Sequence, residues 1–338
     1  MVLNYINGEY VTASSGEMQT MLNPATEEVI AAITWSNAAE CKQAVEAAAA
    51  AFKTWSNTNV YQRSAILKKA ADIIRKNVDD YAEHSVLETG KPFAEAKGEW
   101  VVAANLFEWF AEEAKRSYGR TIPANRNDKR MMTLWQPMGV IGIITAWNFP
   151  AYNPARAWAA ALAAGCTVVA KASEFTALST SHIVEALNEA GLPSGVLNNL
   201  VGDAASIGEE MLNNPLVKKI SFTGSTRVGK LLMDGASRTN TKLSLELGGN
   251  APVIINHDVN AEVLAKSAVI AKLRNAGQVC ISPQRFFVHE KIYTDFLNAA
   301  TEAVKSIKVG FGMEAGIQMG PLINQKQQQY VLQVIGEA

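Results

Sequence analysis

Cysteine is scarce in this sequence. Cys41, Cys166 and Cys280 are spread over 338 residues, with no Cys-x-x-Cys pair. Such a set excludes a disulfide framework and any cysteine-based metal centre, and its odd number fits a reducing compartment. Histidine is equally thin: His84, His182, His257 and His289 form no recognisable Cys–His hydrolase pattern. No excess of one charge exists, because 31 Lys and Arg nearly balance 32 Asp and Glu for a net charge of −1. Without a basic footprint, a nucleic-acid partner is excluded. No uninterrupted apolar run is long enough for a bilayer, and Met1–Tyr5 lacks a basic region followed by an apolar one. The expectation is therefore a soluble, cytoplasmic protein without membrane contact. Internal repeats and low-complexity tracts are also missing.

What is present is a large apolar fraction, 48%, against 19% charged residues, in a chain long enough for two domains. Two segments stand out in it. Cys280 ends Asn275-Ala276-Gly277-Gln278-Val279-Cys280, a thiol among small residues, and Glu246 lies in Leu245-Glu246-Leu247-Gly248-Gly249, a carboxylate among apolar residues and glycines. Together they supply a nucleophile and a base for covalent chemistry on a carbonyl compound. Taken singly, each has a plainer reading: a lone cysteine packs as a small hydrophobe, and a lone glutamate sits on the surface, although Leu245 and Leu247 argue that Glu246 is enclosed instead.

Periodicity organises the rest. Asn7-Gly8 between alternating apolar residues predicts a tight hairpin, and helical spacing follows over 38–54, 63–77, 79–89 and 93–117. The polar segment 119–129, leading to a short strand over 130–135, reads as an arm. From Val140 onward, apolar strands at 140–147, 167–171, 196–201 and 219–223 alternate with helices at 154–164, 177–190, 204–213 and 227–235. That alternation predicts an α/β fold with a doubly wound, Rossmann-like parallel sheet, whose ligands bind at the carboxyl ends of the strands.

Asn148, Lys171, Thr223 and Glu246 all fall at those ends. Phe222-Thr223-Gly224-Ser225 joins a strand to a helix, where glycine and a helix N-terminus suit a phosphate. The following Gly229-Lys230 suggests a Walker A loop, but Leu231 stands where Ser or Thr must hold magnesium, and the segment is not G-x-G-x-x-G either. Lys171-Ala172-Ser173-Glu174 can grip ribose hydroxyls or form an ordinary solvated pair. In Trp147-Asn148-Phe149-Pro150, Asn148 can donate to an oxyanion or merely serve the turn.

Trp147–Pro150, Lys171–Glu174, Phe222–Ser225, Glu246–Gly249 and Gly277–Cys280, in that order and spacing, resemble the NAD(P)-dependent aldehyde dehydrogenase superfamily. The resemblance implies that Cys280 attacks an aldehyde and that Asn148 and the Cys280 N–H hold the oxyanion. It further implies hydride transfer to a nicotinamide, and a thioester that Glu246 helps water to hydrolyse. It implies NAD as cofactor, with NADP possible in the family, held by Trp147, Lys171, Ser173, Glu174, Gly224 and Ser225; a glutamate at 174 repels a 2′-phosphate. Ala172 stands where the family usually has proline, and Ser282 where some members carry a second cysteine.

Arg156, on the helix after Asn148, and Arg274, just before Cys280, match the arginines with which succinate-semialdehyde dehydrogenases grip a distal carboxylate. A structural salt bridge is the plainer role of each. Tyr152 and Trp158 resemble tunnel-wall aromatics, with core packing as the alternative.

The implied layout is an NAD-binding domain over 1–118 and 138–247, an oligomerisation arm over 119–137, and the N-terminal part of a catalytic domain over 248–338. Relatives of this kind run on past this length, and the last helix, 325–338, has no stop signal, so the sequence reads as C-terminally truncated. It lacks the Glu-x-Phe-Gly-Pro segment that holds the nicotinamide ribose in the family. The expectation is a chain that binds NAD but oxidises aldehydes weakly alone. Its substrate would be succinate semialdehyde, or alternatively glutarate semialdehyde, lactaldehyde or a betaine-type aldehyde. Longer relatives form homodimers or homotetramers, and a catalytically silent NAD-binding or assembly protein is the alternative from another class.

Overall fold

A computed structural model describes residues 1–337. Their central sheet has seven strands in the spatial order Lys242–Glu246, Val217–Thr223, Val140–Ile144, Thr167–Lys171, Leu197–Leu200, Asn4–Ile6 and Glu9–Val11. The strands from Lys242–Glu246 to Leu197–Leu200 run parallel. Within this parallel part the chain starts at the central strand Val140–Ile144, moves outward one way, then returns and moves outward the other way. That reversal opens a crevice between the carboxyl ends of Val140–Ile144 and Val217–Thr223, the place where such sheets bind ligands.

Both faces of the sheet are covered, which is why its middle strands read as continuous apolar runs. Ile141, Ile143, Val168 and Ala170 point into one core with Leu67, Trp100, Phe107, Trp158 and Leu187 from the helices. Their neighbours Val140 and Val169 point into another with Val45, Ile207 and Met211. The alternation is the strand period of two. Helix Ala38–Trp55 shows the matching helical logic: Cys41, Ala44, Val45 and Ala48 form one buried stripe. Its start is fixed by a capping box between Asn37 and Glu40.

Several expected elements differ in detail. The hairpin at Asn7 and Gly8, with φ of 51° and 90°, forms as expected but also extends the main sheet, antiparallel to Leu197–Leu200 through Tyr5 and Asn199. The strand expected over 140–147 stops at Ile144, which frees Trp147 and Asn148 to turn over the sheet edge. Helix Phe93–Ala114 ends before Ser117. The arm is a hairpin, Arg120–Ile122 paired with Met131–Thr133, exposed throughout. A further hairpin, Met18–Leu22 with Val29–Thr34, escaped the sequence reading because Met18–Leu22 buries only Met21 and so shows no alternation.

Beyond Gly248, Pro252–Ile255 and Arg285–Val288 form a small parallel sheet. Ile255, Ala265 and Phe296 make its own core beneath helices Ala261–Leu273 and Tyr293–Lys305. The last helix runs Gln325–Glu337. Residue 338, where the sequence reading ends both that helix and the second domain, lies outside the described residues. No helix among the described residues is long and apolar enough to cross a membrane.

Candidate active site

The turn after Val140–Ile144 carries Asn148 and runs into helix Tyr152–Ala163. That helix has no side-chain cap at Ala151, so its first N–H groups need partners. Glu99 supplies them from helix Phe93–Ala114: its Oε1 accepts from Ala151 N at 2.7 Å and Tyr152 N at 3.0 Å. The other oxygen of Glu99 pairs with Lys91 Nζ at 2.6 Å, both side chains being only 2% or less exposed. Lys91 in turn donates to the carbonyl of Asn148 at 2.9 Å and lies 4.5 Å over the Phe149 ring.

A buried charge stripped of its partner is costly, so Lys91→Met is expected to destabilise the fold by about 3–5 kcal/mol. The double variant Lys91→Met/Glu99→Gln should regain most of that loss in urea denaturation. A single variant within about 1 kcal/mol of the parent would contradict this.

Cys280 arrives on a strained loop. After helix Ala261–Leu273 the chain reverses through Asn275, Ala276 and Gly277, all left-handed with φ of 48°, 54° and 76°. Only the glycine adopts that region without penalty, so the two preceding residues must be held by their surroundings. The buried Asn275 provides the hold. Its N–H donates to Glu95 Oε2 at 3.0 Å, its Nδ2 to the Asn148 carbonyl at 3.0 Å, and its own carbonyl accepts from Gln278 N at 3.0 Å. Gln278 Oε1 accepts from Ile323 N at 3.0 Å. Burial raises the pKa of Glu95, opposed by the Asn275 N–H and by the cations Lys91 and Arg274. The Cys280 loop is tied directly to the Asn148 turn, whose Nδ2 donates to the Gln278 carbonyl at 3.1 Å.

Of the three thiols, Cys280 alone is exposed. Cys41 is enclosed, and burial pushes its pKa up to about 12. Cys166 is buried and accepts from Met138 N at 3.3 Å.

One cavity of about 720 Å³ at the switch point is bordered by Cys280, Asn148 and Glu246. Arg156, Arg274 and Tyr152 line it too, as do Trp147, Gly224 and Ser225. Glu246 is not enclosed as Leu245 and Leu247 suggested. Its side chain is 59% exposed, because Lys242–Glu246 is the edge strand of the sheet. Its carboxylate lies 3.6 Å from Arg156 Nη1, while Arg156 Nη2 reaches Thr223 Oγ1 at 3.5 Å and the guanidinium sits 5.6 Å over the Tyr152 ring. Arg274 stacks 5.0 Å over the Phe149 ring.

Trp158 does not share this cavity. It is fully buried in the main core with its indole N–H unpartnered, and its role there is packing. The reason is its place on the face of helix Tyr152–Ala163 that is buried in the main core with Ala155 and Leu162.

Lys171, Ser173 and Glu174 stand apart from the cavity, at the end of the next strand outward. There Lys171 Nζ meets Glu174 Oε2 at 2.7 Å and Ser173 Oγ accepts from Phe175 N at 3.3 Å. Ser225 caps helix Thr226–Thr239, its Oγ accepting from Val228 N at 3.3 Å. A side chain at Gly224 would run into the Phe222 ring, so the backbone beside that helix start stays bare. Bare backbone and a helix N-terminus after Val217–Thr223, with a lysine–glutamate pair two strands away at the end of Thr167–Lys171, fit a dinucleotide.

Lys91, Glu95, Glu99, Asn153 and Asn275 were not singled out in the sequence. Their only local signal is that Glu95 and Glu99 sit one turn apart on helix Phe93–Ala114.

Comparison with known proteins agrees with this geometry: the model of the aldehyde dehydrogenase family matches residues 10–338. The chain belongs to the aldehyde dehydrogenase family. Among its relatives is a glutarate-semialdehyde dehydrogenase from Pseudomonas putida, 44% identical over 95% of this aldehyde dehydrogenase chain and 67% of that protein. The structure of succinate-semialdehyde dehydrogenase from Burkholderia pseudomallei superposes with a TM-score of 0.98 at 43% identity, covering 100% of this chain and 70% of that one. The NAD+ complex of an aldehyde dehydrogenase from Bacillus cereus superposes with a TM-score of 0.96 at 35% identity, covering 99% and 69%. This aldehyde dehydrogenase chain thus spans about two thirds of the length of the relatives it matches.

Proposed function

We propose that this chain oxidises a short aldehyde bearing a distal carboxylate to the carboxylic acid, with Cys280 as nucleophile. The observation that carries this reading is the sharing of one cavity by an exposed thiol, a donor amide, a carboxylate and two arginines.

The Cys280 thiolate adds to the carbonyl carbon, and the former carbonyl oxygen becomes an oxyanion. Asn148 Nδ2 has two N–H bonds. One is used on the Gln278 carbonyl, and the other is the donor to the oxyanion together with the Cys280 backbone N–H. NAD or NADP, when bound, supplies the hydride acceptor. Trp147, Lys171, Ser173, Glu174, Gly224 and Ser225 are the residues proposed to hold it. Collapse of the oxyanion with loss of hydride leaves an acyl thioester on Cys280. Glu246 then takes a proton from water as it attacks the thioester, releasing the acid and the thiolate. Arg156 and Arg274 line the same cavity and are the proposed anchors of the substrate's distal carboxylate, with Tyr152 as an aromatic wall.

The relatives named for glutarate and succinate semialdehydes support this class, whose substrates differ only by a methylene. The test is a single turnover with stoichiometric succinate semialdehyde and NAD+. Succinate and reduced nicotinamide in equal amounts support the reading; an unchanged aldehyde or its alcohol overturns it.

Glu174 sets the cofactor preference in this reading, since its carboxylate accepts from ribose hydroxyls and repels a 2′-phosphate. Glu174→Gln is expected to shift the ratio of NADP to NAD affinities toward NADP by about tenfold, or ~1.4 kcal/mol. Calorimetric titration with each cofactor measures it, and an unchanged ratio would remove Glu174 from that role.

A further inference from the structure

We propose that Asn153 is a positioning residue that fixes which end of the Asn148 amide faces the reacting carbonyl. The inference rests on the proposed role of Asn148 as oxyanion donor.

A primary amide is nearly symmetric in shape. Turning it by half a rotation exchanges NH2 for C=O at little steric cost, and only its hydrogen-bond partners choose between the two. The stakes at Asn148 are high, because the flipped amide would present a lone pair to an oxyanion. The rest of Asn148 has no such freedom. Its carbonyl is clamped by Lys91 Nζ at 2.9 Å and Asn275 Nδ2 at 3.0 Å, so the backbone is fixed and the amide flip remains.

Two neighbours close that freedom. Gln278 offers a carbonyl, which demands a donor, and receives Asn148 Nδ2 at 3.1 Å. Asn153 offers an NH2, which demands an acceptor, and donates from Nδ2 to Asn148 Oδ1 at 3.2 Å. The two supports differ in kind. Gln278 rides on the left-handed loop that also carries Cys280. Asn153 belongs to the first turn of helix Tyr152–Ala163, is 5% exposed and is anchored by its own N–H to the Phe149 carbonyl at 3.0 Å. The amide is therefore referenced to the core by Asn153 and to the nucleophile by Gln278.

Asn153→Asp keeps the shape and reverses the demand, setting an acceptor against Asn148 Oδ1. Asn153→Leu removes the demand and leaves Gln278 alone. The readout is the burst of 4-nitrophenol from 4-nitrophenyl acetate, which forms an acyl thioester through an oxyanion without any cofactor. Alongside it runs the rate of Cys280 alkylation by iodoacetamide, a displacement that forms no oxyanion. Both variants are made in the parent and in the Asn148→Ala background.

In the parent, Asn153→Asp is expected to slow the burst by about 30-fold, part of the 10²–10³-fold typical of losing an oxyanion donor, and Asn153→Leu by less. Alkylation should stay within about twofold, which shows that the Cys280 loop is intact. In the Asn148→Ala background neither substitution should slow the burst further, because residues acting through one group are not additive. Equal losses in both backgrounds, or no loss in the parent, overturn the assignment. A burst untouched by Asn148→Ala itself overturns the oxyanion role, and this inference with it.

Discussion

Cys280→Ala is expected to abolish the acyl-transfer burst, lowering its rate by at least about 10³-fold, as removal of a covalent nucleophile does in other acyl-transfer enzymes. The size of the effect follows from the absence of a substitute. Cys41 is sealed between helices, its Sγ placed 3.7 Å from the Ile207 carbonyl, with burial pushing its pKa up to about 12. A thiol held that far from ionisation is inert near neutrality. Cys166 is buried beside the start of strand Val140–Ile144 and borders no part of the cavity. Cys41→Ala and Cys166→Ala should accordingly keep the burst and lose stability instead, by the packing cost of a small buried side chain. Cys280→Ser should fall nearly as far as alanine, because a hydroxyl is far less ionised near neutrality and a weaker nucleophile than a thiol. A surviving burst in Cys280→Ala, or its loss in Cys41→Ala with the fold intact, would contradict the assignment of the nucleophile.

Arg156→Ala should produce the second largest change, as a loss of selectivity. For a partly buried guanidinium meeting a substrate carboxylate, the loss is about 2 kcal/mol, or roughly 30-fold in kcat/KM. The structure complicates the measurement in a useful way. Arg156 already lies 3.6 Å from Glu246, so its removal also alters the surroundings of the proposed base. That second effect strikes every substrate alike. The ratio of kcat/KM for succinate semialdehyde over butanal therefore isolates the anchor, and the same contrast between a 4-nitrophenyl succinate half-ester and 4-nitrophenyl butanoate isolates it without cofactor. Arg156→Lys should fall between, since an ammonium cannot make the bidentate contact. Arg274→Ala should shift the ratio in the same direction. Its guanidinium is stacked on Phe149, so this variant also tests whether that stacking orients it. Equal losses on charged and uncharged substrates would leave both arginines as structural cations.

Much of this arrangement is written locally in the sequence. The parallel strands Val140–Ile144 and Thr167–Lys171 are legible because burial on both faces makes them short unbroken apolar runs. The residues at their ends are legible because strand ends are where such sheets bind ligands. Strand order is not local, and that is why Glu246 was expected to be enclosed: nothing in Leu245-Glu246-Leu247 says that its strand lies at the sheet edge. Trp158 misled for a related reason. Its helix places Tyr152 and Arg156 on the cavity and Trp158 on the core, a rotation that one sequence cannot register.

The supports beneath the site are the least legible part. Glu95 meets Asn275 across 180 positions, and Lys91 meets Asn148 across 57. Read locally, Lys91, Glu95 and Glu99 are ordinary charges at and near the start of a helix. Only the fold reveals that these three side chains hold both the Asn148 turn and the Cys280 loop.

The most direct measurement is the location of the acyl group. After the burst with 4-nitrophenyl acetate is quenched in acid, peptide mass spectrometry should find one acetyl group on the peptide containing Cys280, and none on it in Cys280→Ala. Acetylation confined to Cys41, Cys166 or lysine side chains, with the Cys280 peptide unmodified, would contradict covalent catalysis at this site.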